Sequence, residues 1–301
     1  MRILVLGFSG YLGRHVAEHL RALPGARVLG GGRSADADHG IDLATVRPEQ
    51  LAKTLASAAP DTVVNCAGAT GGDPVTLAEV NARGPAVLCA ALRDAAPGAR
   101  LVHLGSAAEY GPGVQGTLVT ETAPTSPVGP YGATKLAGTA AVTASGLDAV
   151  TLRVGNPIGP GAPAGSLPGR VTALLREAGQ DPAAVLRLGD LSAHRDFVDV
   201  RDVARALAHA VLAPGPLPPV LNVGGGAAAP VREVVHGLAR HAGFRGRVEE
   251  TGSGTSAGSA RSAQVSWQCS DLTAAAEALD WRPVHPLDEA LATLWEGGTS
   301  P

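Results

Sequence analysis

The chain has 301 residues, and 45% of them are hydrophobic, which is enough for a sizeable core. The formal net charge is −3, so the composition excludes a general attraction to nucleic acid or to an anionic membrane surface. No apolar run approaches the ~20 residues that a membrane span requires, and the N-terminus leads directly into a strand pattern without a signal peptide.

Short apolar runs alternate with longer helical patterns in the first half of the chain, which predicts βαβ units and a parallel sheet. The predicted strands are Ile3–Leu6, Arg27–Gly30, Thr62–Cys66, Arg100–Leu104 and Ala149–Val154. The predicted helices between them are Tyr11–Arg21, Pro48–Ala58, Val75–Ala95 and Pro130–Ala144.

The pattern loosens after about Gly155, where Asn156–Gly161 is predicted to be a loop. Residues 1–155 are expected to form the first domain and residues 156–301 mainly a second lobe, with segments at about 195–225 returning to the sheet. Thr251–Ala263 is rich in Gly and Ser and is predicted to be a mobile loop. The remaining predicted elements are helix Leu167–Ala178, strand Arg195–Val198, helix Val200–Leu212, a sixth core strand Val220–Val223, and helices Val231–His241, Leu272–Leu279 and Leu287–Trp295.

A glycine-rich turn at residues 7–13 stands between the first strand and the first helix. In this context Gly7 permits a tight turn, Gly10 lets the backbone approach a pyrophosphate, and Gly13 lets the helix pack on the strand. The helix N-terminus then faces the phosphates with free N–H groups and a positive dipole end. The turn therefore predicts a dinucleotide site, with a plain glycine-rich turn as the alternative. Its predicted contacts are Gly7, Ser9, Gly10, Tyr11, Leu12 and Gly13.

The end of the second strand indicates which dinucleotide binds. An acid there would hold the adenosine ribose of NAD, but the sequence continues through three glycines to Arg33 and Ser34. Arg33 can pair with a 2′-phosphate, which favours NADP over NAD, although it could equally stack on adenine or lie in solvent. Asp42 and Leu43, after the next short run, could contact the adenine; alternatively, Asp42 is a loop cap.

Small residues end the third and fourth strands. Asn65-Cys66-Ala67-Gly68 suits a backbone that passes close to a cofactor, and the fourth strand ends in residues 105–111, Gly-Ser-Ala-Ala-Glu-Tyr-Gly. In doubly wound sheets the ligand binds outside the carboxyl ends of the strands, so these segments should converge. Ser106 could hydrogen-bond the oxygen at a reacting carbon, although a serine at a strand end is usually structural.

The three cysteines, Cys66, Cys89 and Cys269, are odd in number, far apart and without metal-ligand spacing. This usage favours a reducing cytoplasm and predicts no metal site. Cys66 could be a nucleophile, but we favour a plain apolar packing role.

Only two of the 24 Lys and Arg residues are lysines, Lys53 and Lys135, and Lys135 stands four residues after Tyr131. Residues at that spacing share one helix face. A compact ammonium can reach two ribose hydroxyls beside a phenol, where a planar guanidinium would not fit. Lys135 and a cationic nicotinamide ring would lower the pKa of Tyr131, so the phenol could exchange a proton near neutrality. The alternative is a surface Lys and a packed Tyr on one helix.

Taken together, these motifs resemble the short-chain dehydrogenase/reductase superfamily, and within it the extended branch, the NAD-dependent epimerase/dehydratase family. The glycine spacing, NCAG, SAAEYG and PYGATK carry the resemblance, with later segments at Asn156–Gly161, Arg195–Val200 and Leu221–Gly224. The resemblance covers nearly the whole chain. It implies an α/β fold with a doubly wound parallel sheet (a Rossmann fold) and a smaller C-terminal substrate-binding lobe.

The resemblance also implies roles for single residues. Ser106, Tyr131 and Lys135 would be the catalytic triad: Tyr131 as acid/base, Ser106 orienting the substrate oxygen and Lys135 binding the nicotinamide ribose. The further predicted cofactor contacts are Cys66, Ala67, Gly68, Asn81 and Val154, and the further predicted substrate contacts are Ala107, Ala108 and Leu167.

Asn156, Arg195 and Arg261 fall where family members that bind sugar nucleotides hold the diphosphate. Two Arg forks suit a doubly charged pyrophosphate. The alternatives are that Arg195 forms a salt bridge with Asp196 or Asp199, and that Arg261 is solvated.

One departure from the family pattern narrows the reaction. The 4,6-dehydratases carry Asp-Glu directly after the Ser or Thr, where this chain has Ala107 and Ala108, and the 3,5-epimerase/reductases use a Cys in that region. Glu109 cannot simply replace them, since its direction is not given by the sequence. We therefore predict 4-ketoreduction or 4-epimerisation of a nucleoside-diphosphate sugar with NADP, or alternatively NAD, in a cytoplasmic homodimer. The alternatives are an NADPH-dependent reductase of a non-sugar secondary-metabolite carbonyl and a redox-inactive cofactor-binding regulator.

Overall fold

A computed structural model describes residues 1–250 and 265–297 of the chain. The predicted loop Thr251–Ala263, and Arg261 within it, lie outside the described residues. The strands in the described ranges are β1 (Arg2–Leu6), β2 (Arg27–Gly32), β3 (His39–Gly40), β4 (Thr62–Asn65), β5 (Arg100–Ser106), β6 (Ala149–Val154), β7 (Asn156–Ile158), β8 (Val185–Leu188), β9 (His194–Asp199), β10 (Val220–Val223), β11 (Ala228–Pro230) and β12 (Arg247–Glu250).

The helices in the same ranges include two short irregular ones, a π-helical turn at Glu79–Arg83 and a 3₁₀ turn at Ala107–Glu109. The α-helices are α1 (Tyr11–Arg21), α2 (Pro48–Ala58), α3 (Pro74–Ala78), α4 (Gly84–Ala95), α5 (Pro130–Thr143), α6 (Leu167–Ala178), α7 (Val200–Leu212), α8 (Val231–His241), α9 (Thr273–Leu279) and α10 (Leu287–Glu296). Across the described ranges, none of these helices combines the length and the apolar character that crossing a bilayer requires.

Seven parallel strands form the central sheet in the order β10-β6-β5-β4-β1-β2-β3. The strand order reverses at β1, which pairs with β2 on one side and β4 on the other. This is the switch point of a doubly wound sheet, so the ligand crevice lies outside the carboxyl ends of these strands. The predicted α/β fold with a doubly wound parallel sheet is confirmed.

Alternate residues of each strand face opposite layers of helices, because the side-chain period of a strand is two. Ile3 and Val5 of β1 join a buried cluster with α1, α7 and α9, whereas Leu4 and Leu6 join a second cluster with α2, α4 and α5. Helices therefore cover both faces of the sheet, as the near-continuous apolar character of its strands requires.

A third buried cluster lies in the second half of the chain and unites α6, α8 and α10 with β8 and β9. A three-stranded sheet, β11-β9-β7, and a parallel pair, β12-β8, complete this region. Strand β10 returns to the central sheet beside β6. A separate apolar core supports the predicted boundary near residue 155, which we retain as a proposal.

Several predicted boundaries are wrong. The helix predicted at Val75–Ala95 is interrupted by the π-helical turn, and the loop predicted at Asn156–Gly161 begins with strand β7. The short strands β3, β8, β11 and β12 were not predicted, because two to four residues give only a weak period; β4 and β10, of four residues each, were nevertheless predicted. A π-helical turn leaves no sequence period of its own, and packing decides it.

Candidate active site

The glycine-rich turn closes tightly at the end of β1. Gly7 has φ +73° and donates its N–H to the carbonyl oxygen of Gly31 at 2.8 Å. A β-carbon at position 7 would lie 2.8 Å from the backbone of Ala67, and one at position 13 would overlap the carbonyl oxygen of Gly7. Gly10 is the N-cap of α1 and has no side chain to cap it, so the first N–H groups of α1 remain available to a phosphate.

Arg33 and Ser34 follow the end of β2, where the adenosine ribose is expected. Arg33 is exposed and Ser34 is half-buried. The Asp38 carboxylate accepts a hydrogen bond from the Gly30 N–H at 2.7 Å, which brings an acid to this end of the strand. Sequence reasoning missed Asp38 because a turn separates it from β2. An acidic residue within ten positions of the strand was the available signal.

The structure gives Asp42 the loop-capping role, since its Oδ1 accepts from the Ala44 N–H at 3.1 Å. Leu43 is buried in the core, and its carbonyl oxygen accepts from the Arg83 guanidinium at 3.2 Å. A contact of either residue with adenine stays a prediction.

Asn81 in the π-helical turn fixes the loop that follows β4. Its amide bonds Ala69 in both directions, accepting from the N–H at 2.9 Å and donating to the carbonyl at 2.8 Å, and it also donates to Thr134 Oγ1 at 3.3 Å. A β-carbon at Gly68 would lie 3.5 Å from Asn81 Oδ1 and 4.0 Å from Lys135 Nζ. Asn81 therefore joins the Gly68 loop to α5 beside Lys135.

Ser106 is the last residue of β5 and is 8% exposed, and its Oγ accepts from the Ala108 N–H at 3.2 Å. Helix α5 approaches this strand end closely: a β-carbon at Gly132 would lie 2.5 Å from the carbonyl oxygen of Ala108. Tyr131 directly precedes Gly132 and is half-buried. Helix α5, which carries Tyr131 and the buried Lys135, therefore lies against the end of β5 that carries Ser106. That these three residues form a catalytic site stays a prediction.

Burial is the largest cause of the pKa shifts of the titratable groups near the end of β5. Burial lowers the pKa of Lys135, while Glu109 and Cys66 oppose that shift. Burial also raises the pKa of the Cys66 thiol to about 12, so the protonated thiol dominates near neutral pH. This favours the packing role of Cys66 over the nucleophilic one. His103 has a pKa well below 6.5, first because it is buried and second because Lys135 is near.

Glu109, whose direction the sequence left open, points inward. Its Oε1 accepts from the Ser106 N–H at 2.8 Å and from Thr139 Oγ1 at 3.0 Å, and its Oε2 pairs with Arg153 Nε at 2.8 Å. Both carboxylate oxygens of Glu109 are bonded in the protein interior. Glu109 is therefore unsuited to replace the acid that dehydratases carry at the positions of Ala107 and Ala108.

Asn156 and Gln268, from the second half of the chain, reach the same strand end. Asn156 Nδ2 donates to the Asp196 carbonyl at 3.3 Å and to Gln268 Oε1 at 3.4 Å, and Gln268 Nε2 donates to the Ala107 carbonyl at 2.8 Å. Sequence reasoning missed Gln268, which reaches the site only through the fold. Val154, the last residue of β6, is in register with Ser106.

Arg195 is buried, and its guanidinium donates to the His194 carbonyl at 2.8 Å. Burial lowers the pKa of Arg195 to about 10, because desolvation disfavours the charged guanidinium. A bound anion would offset that cost. Asp196 accepts from Gly225 N at 2.6 Å and Ser270 N at 3.0 Å, and Asp199 pairs with Arg201 at 2.7 Å. Leu167 begins α6 and packs against the third cluster.

A doubly wound sheet with an uncapped helix N-terminus at its switch point is an architecture in which proteins bind dinucleotides. The chain belongs to the NAD dependent epimerase/dehydratase family, whose model matches residues 3–224.

Three comparisons show what the chain is similar to. It is 37% identical over 308 residues to the dTDP-6-deoxy-L-talose 4-dehydrogenase (NAD(P)(+)) of Kitasatospora kifunensis, which covers 98% of this chain and 94% of that protein. The structure of MoeE5 in complex with UDP-glucuronic acid and NAD is 28% identical, with a TM-score of 0.83 over 99% of each chain. The UDP-glucose 4-epimerase of Thermus thermophilus in complex with NAD is 27% identical, with a TM-score of 0.81 over 99% of this chain and 98% of that one.

Proposed function

We propose that this protein is an NAD(P)-dependent oxidoreductase that acts at C4 of a nucleotide-activated sugar. Membership of the family and the names of its relatives support this class of reaction. The observation that carries the proposal is the packing of α5, which holds Tyr131 and Lys135, against the end of β5 that holds Ser106, at the same edge of the sheet as the glycine-rich turn.

The residues around the switch point fit a dinucleotide. The N–H groups at the start of α1 would hold the pyrophosphate, and Gly7 and Gly13 leave no space that a side chain could fill. The closeness of Gly68 to Lys135 fits a ribose held by the ammonium. NAD(P) bound there would supply or accept the hydride. Arg33 supports the use of NADP, with NAD as the alternative, and the name of the 4-dehydrogenase relative includes both cofactors.

Tyr131 is proposed to give or take the proton of the substrate oxygen, and Ser106 Oγ to hold that oxygen by a hydrogen bond. Lys135 carries a positive charge on the same helix face, which would stabilise a tyrosinate.

Asn156 and Arg195 are proposed to bind the diphosphate of the substrate, together with Arg261, which lies beyond the described ranges. The support for Arg195 is electrostatic, because a buried guanidinium is stabilised when an anion enters its surroundings. Ala107 and Ala108 support reduction, oxidation or epimerisation at C4 rather than loss of water, since dehydration needs an acid and a base there.

Turnover of a panel of dTDP-, UDP- and GDP-linked 4-keto and 4-hydroxy sugars tests the proposal. Net change in nicotinamide absorbance would identify a reductase or dehydrogenase, and inversion at C4 without net change would identify an epimerase. If no sugar nucleotide reacts and saturating nucleoside diphosphates leave the melting temperature unchanged, the sugar-nucleotide assignment is wrong. Reduction of a neutral secondary-metabolite ketone would then favour the non-sugar alternative. The cytoplasmic location and the homodimer also stay predictions; light scattering of the purified protein tests the dimer.

A further inference from the structure

Glu109 is a fully buried carboxylate directly behind Ser106. Its Oε1 accepts a hydrogen bond from the main-chain N–H of Ser106 at 2.8 Å and another from Thr139 Oγ1 at 3.0 Å. Thr139 lies four residues after Lys135, so the two side chains share one face of α5. The carboxylate therefore contacts both the face of α5 that carries Lys135 and the strand end that carries Ser106.

Glu109 is held in place from the opposite side by Arg153 of β6. Arg153 Nε lies 2.8 Å from Glu109 Oε2, and this ion pair is buried on both sides. The Arg153 guanidinium in turn stacks on the Tyr110 ring at 4.5 Å, and Tyr110 donates its hydroxyl to Asn222 Oδ1 at 2.8 Å. The ion pair and the contacts of Arg153 with Tyr110 restrain the carboxylate of Glu109. It therefore has a fixed position from which to accept the hydrogen bond of the Ser106 N–H.

The space that Glu109 occupies exists because residue 105 is glycine. A β-carbon at Gly105 would lie 2.8 Å from Glu109 Oε1 and 2.7 Å from Thr151 Cγ2. Gly105 has extended backbone in β5 and does not need the left-handed region, so the close approach of the carboxylate accounts for the glycine. Gly105 and Glu109 thus form a matched pair on either side of Ser106.

Lys135 needs a counter-charge because its ammonium is buried. Burial is the largest effect and lowers the pKa of Lys135, and Glu109 is the larger of the two opposing groups. The other is Cys66, whose thiol pKa is raised to about 12 and which is therefore uncharged near neutral pH. His103, from β5, has a lowered pKa and is neutral there too. Among the described groups that act on Lys135, Glu109 supplies the negative charge.

We propose that Glu109 is a positioning residue of the active site, which fixes the main chain of Ser106 and supplies the buried counter-charge that keeps Lys135 an ammonium. This inference rests on the proposed catalytic function of Ser106 and Lys135. On this proposal, the Glu109 carboxylate couples the end of β5 at Ser106 to helix α5, which carries Lys135.

The small number of lysines makes a direct test possible. Protein labelled with ¹³C at lysine Cε should show two resonances, from Lys135 and from the exposed Lys53. Glu109→Gln keeps the hydrogen-bond acceptor but removes the charge, so the titration midpoint of Lys135 should fall while that of Lys53 stays unchanged. Glu121→Gln is the matched control. Glu121 also accepts a hydrogen bond from a main-chain N–H, that of Asn222 at 2.8 Å, but it is not among the charges that act on Lys135.

Kinetics separates the two parts of the proposal. In Glu109→Gln the alkaline limb of the kcat profile should move to lower pH, because Lys135 loses its proton earlier. Glu109→Asp keeps the charge but shortens the reach to Ser106, so the pH profile should stay near that of the wild type while kcat falls roughly 10–100-fold. If Glu109→Gln leaves Arg153 uncompensated and does not fold, the double variant Glu109→Gln/Arg153→Met removes both charges. The Lys135 midpoint should still fall in it, because Glu109 and not Arg153 is the charge that acts on Lys135.

The inference is overturned if Lys135 titrates alike in the wild type, Glu109→Gln and the double variant, whatever the catalytic outcome. Its failure is distinguishable from failure of the proposed function. If Tyr131→Phe is inactive and the Lys135 midpoint is unchanged in the Glu109 variants, the Ser-Tyr-Lys site is retained and the positioning role of Glu109 is rejected. A fully active Tyr131→Phe with the expected Lys135 shift would do the reverse.

Discussion

The ammonium of Lys135 donates a hydrogen bond to the main-chain oxygen of Leu104, and this contact joins α5 to β5 two residues before the strand ends at Ser106. A helix anchored in this way cannot slide along the strand without losing a buried charge-assisted bond. Tyr131, one turn earlier on the same helix face, is therefore held in a set relation to Ser106.

Replacing Tyr131 with Phe should reduce kcat by roughly 10²–10⁴, because the proton donor is lost while the ring remains. Cofactor should still bind, which a titration of NADPH fluorescence can verify. Near-normal turnover with the true substrate would mean that Tyr131 is not the acid/base.

Lys135→Arg should also lose most of its activity, since the buried site holds a compact ammonium and a planar guanidinium does not fit there. The variant should unfold at lower denaturant concentration for the same reason. Lys53→Arg is the matched control, because Lys53 is exposed on α2 and should tolerate the change in both assays. A fully active Lys135→Arg enzyme would remove the argument for a point charge.

Arg33→Ala should weaken NADPH much more than NADH, because it removes a charge-assisted bond to the 2′-phosphate worth about 1.5–3 kcal/mol. Calorimetric titration of both cofactors measures the difference. Arg27→Ala, at the exposed start of the same strand, should change neither affinity. Equal losses for the two cofactors in Arg33→Ala, or a wild-type preference for NADH, would show that Arg33 does not read the phosphate.

Arg195→Ala should reduce affinity for a nucleoside diphosphate by several kcal/mol at most, since a buried cation facing an anion is lost. Binding of UDP and TDP by calorimetry tests this. Arg187→Ala provides the comparison, because Arg187 is exposed and pairs with Glu249 at 3.3 Å on the surface. Unchanged nucleotide affinity in Arg195→Ala would assign that residue a structural role.

The free energy of unfolding should decrease as the pH falls below 6.5, because His103 is buried. Its pKa in the folded protein lies well below 6.5, first through burial and second through Lys135. As the pH falls below 6.5 the unfolded chain binds a proton before the folded chain does, so the contribution of His103 is complete above that pH and is lost below it. Denaturant unfolding of the wild type and of His103→Gln across this window should give a shallower pH dependence in the variant. Identical slopes would contradict the assignment.

Local patterns predicted the elements that form the proposed cofactor site. The strand before Gly7, the helix after Gly13 and the helix that carries Tyr131 and Lys135 are present in the structure. These features depend on periodicity and glycine placement over fewer than about 20 residues, which a sequence displays directly. The boundaries at the strand ends moved by one or two residues, because tertiary hydrogen bonds decide where a ladder stops.

The direction of Glu109, the π-helical turn at Asn81 and the contact of Gln268 with Ala107 could not be predicted in the same way. Glu109 meets Thr139 across 30 residues of sequence and Arg153 across 44, and Gln268 meets Ala107 across 161. The sequence alone determined the fold class, the dinucleotide turn and the candidate catalytic groups, since each is a local pattern. Only the tertiary structure decided which charges are buried together, because the cost of burying a charge depends on partners that the fold supplies from distant parts of the chain.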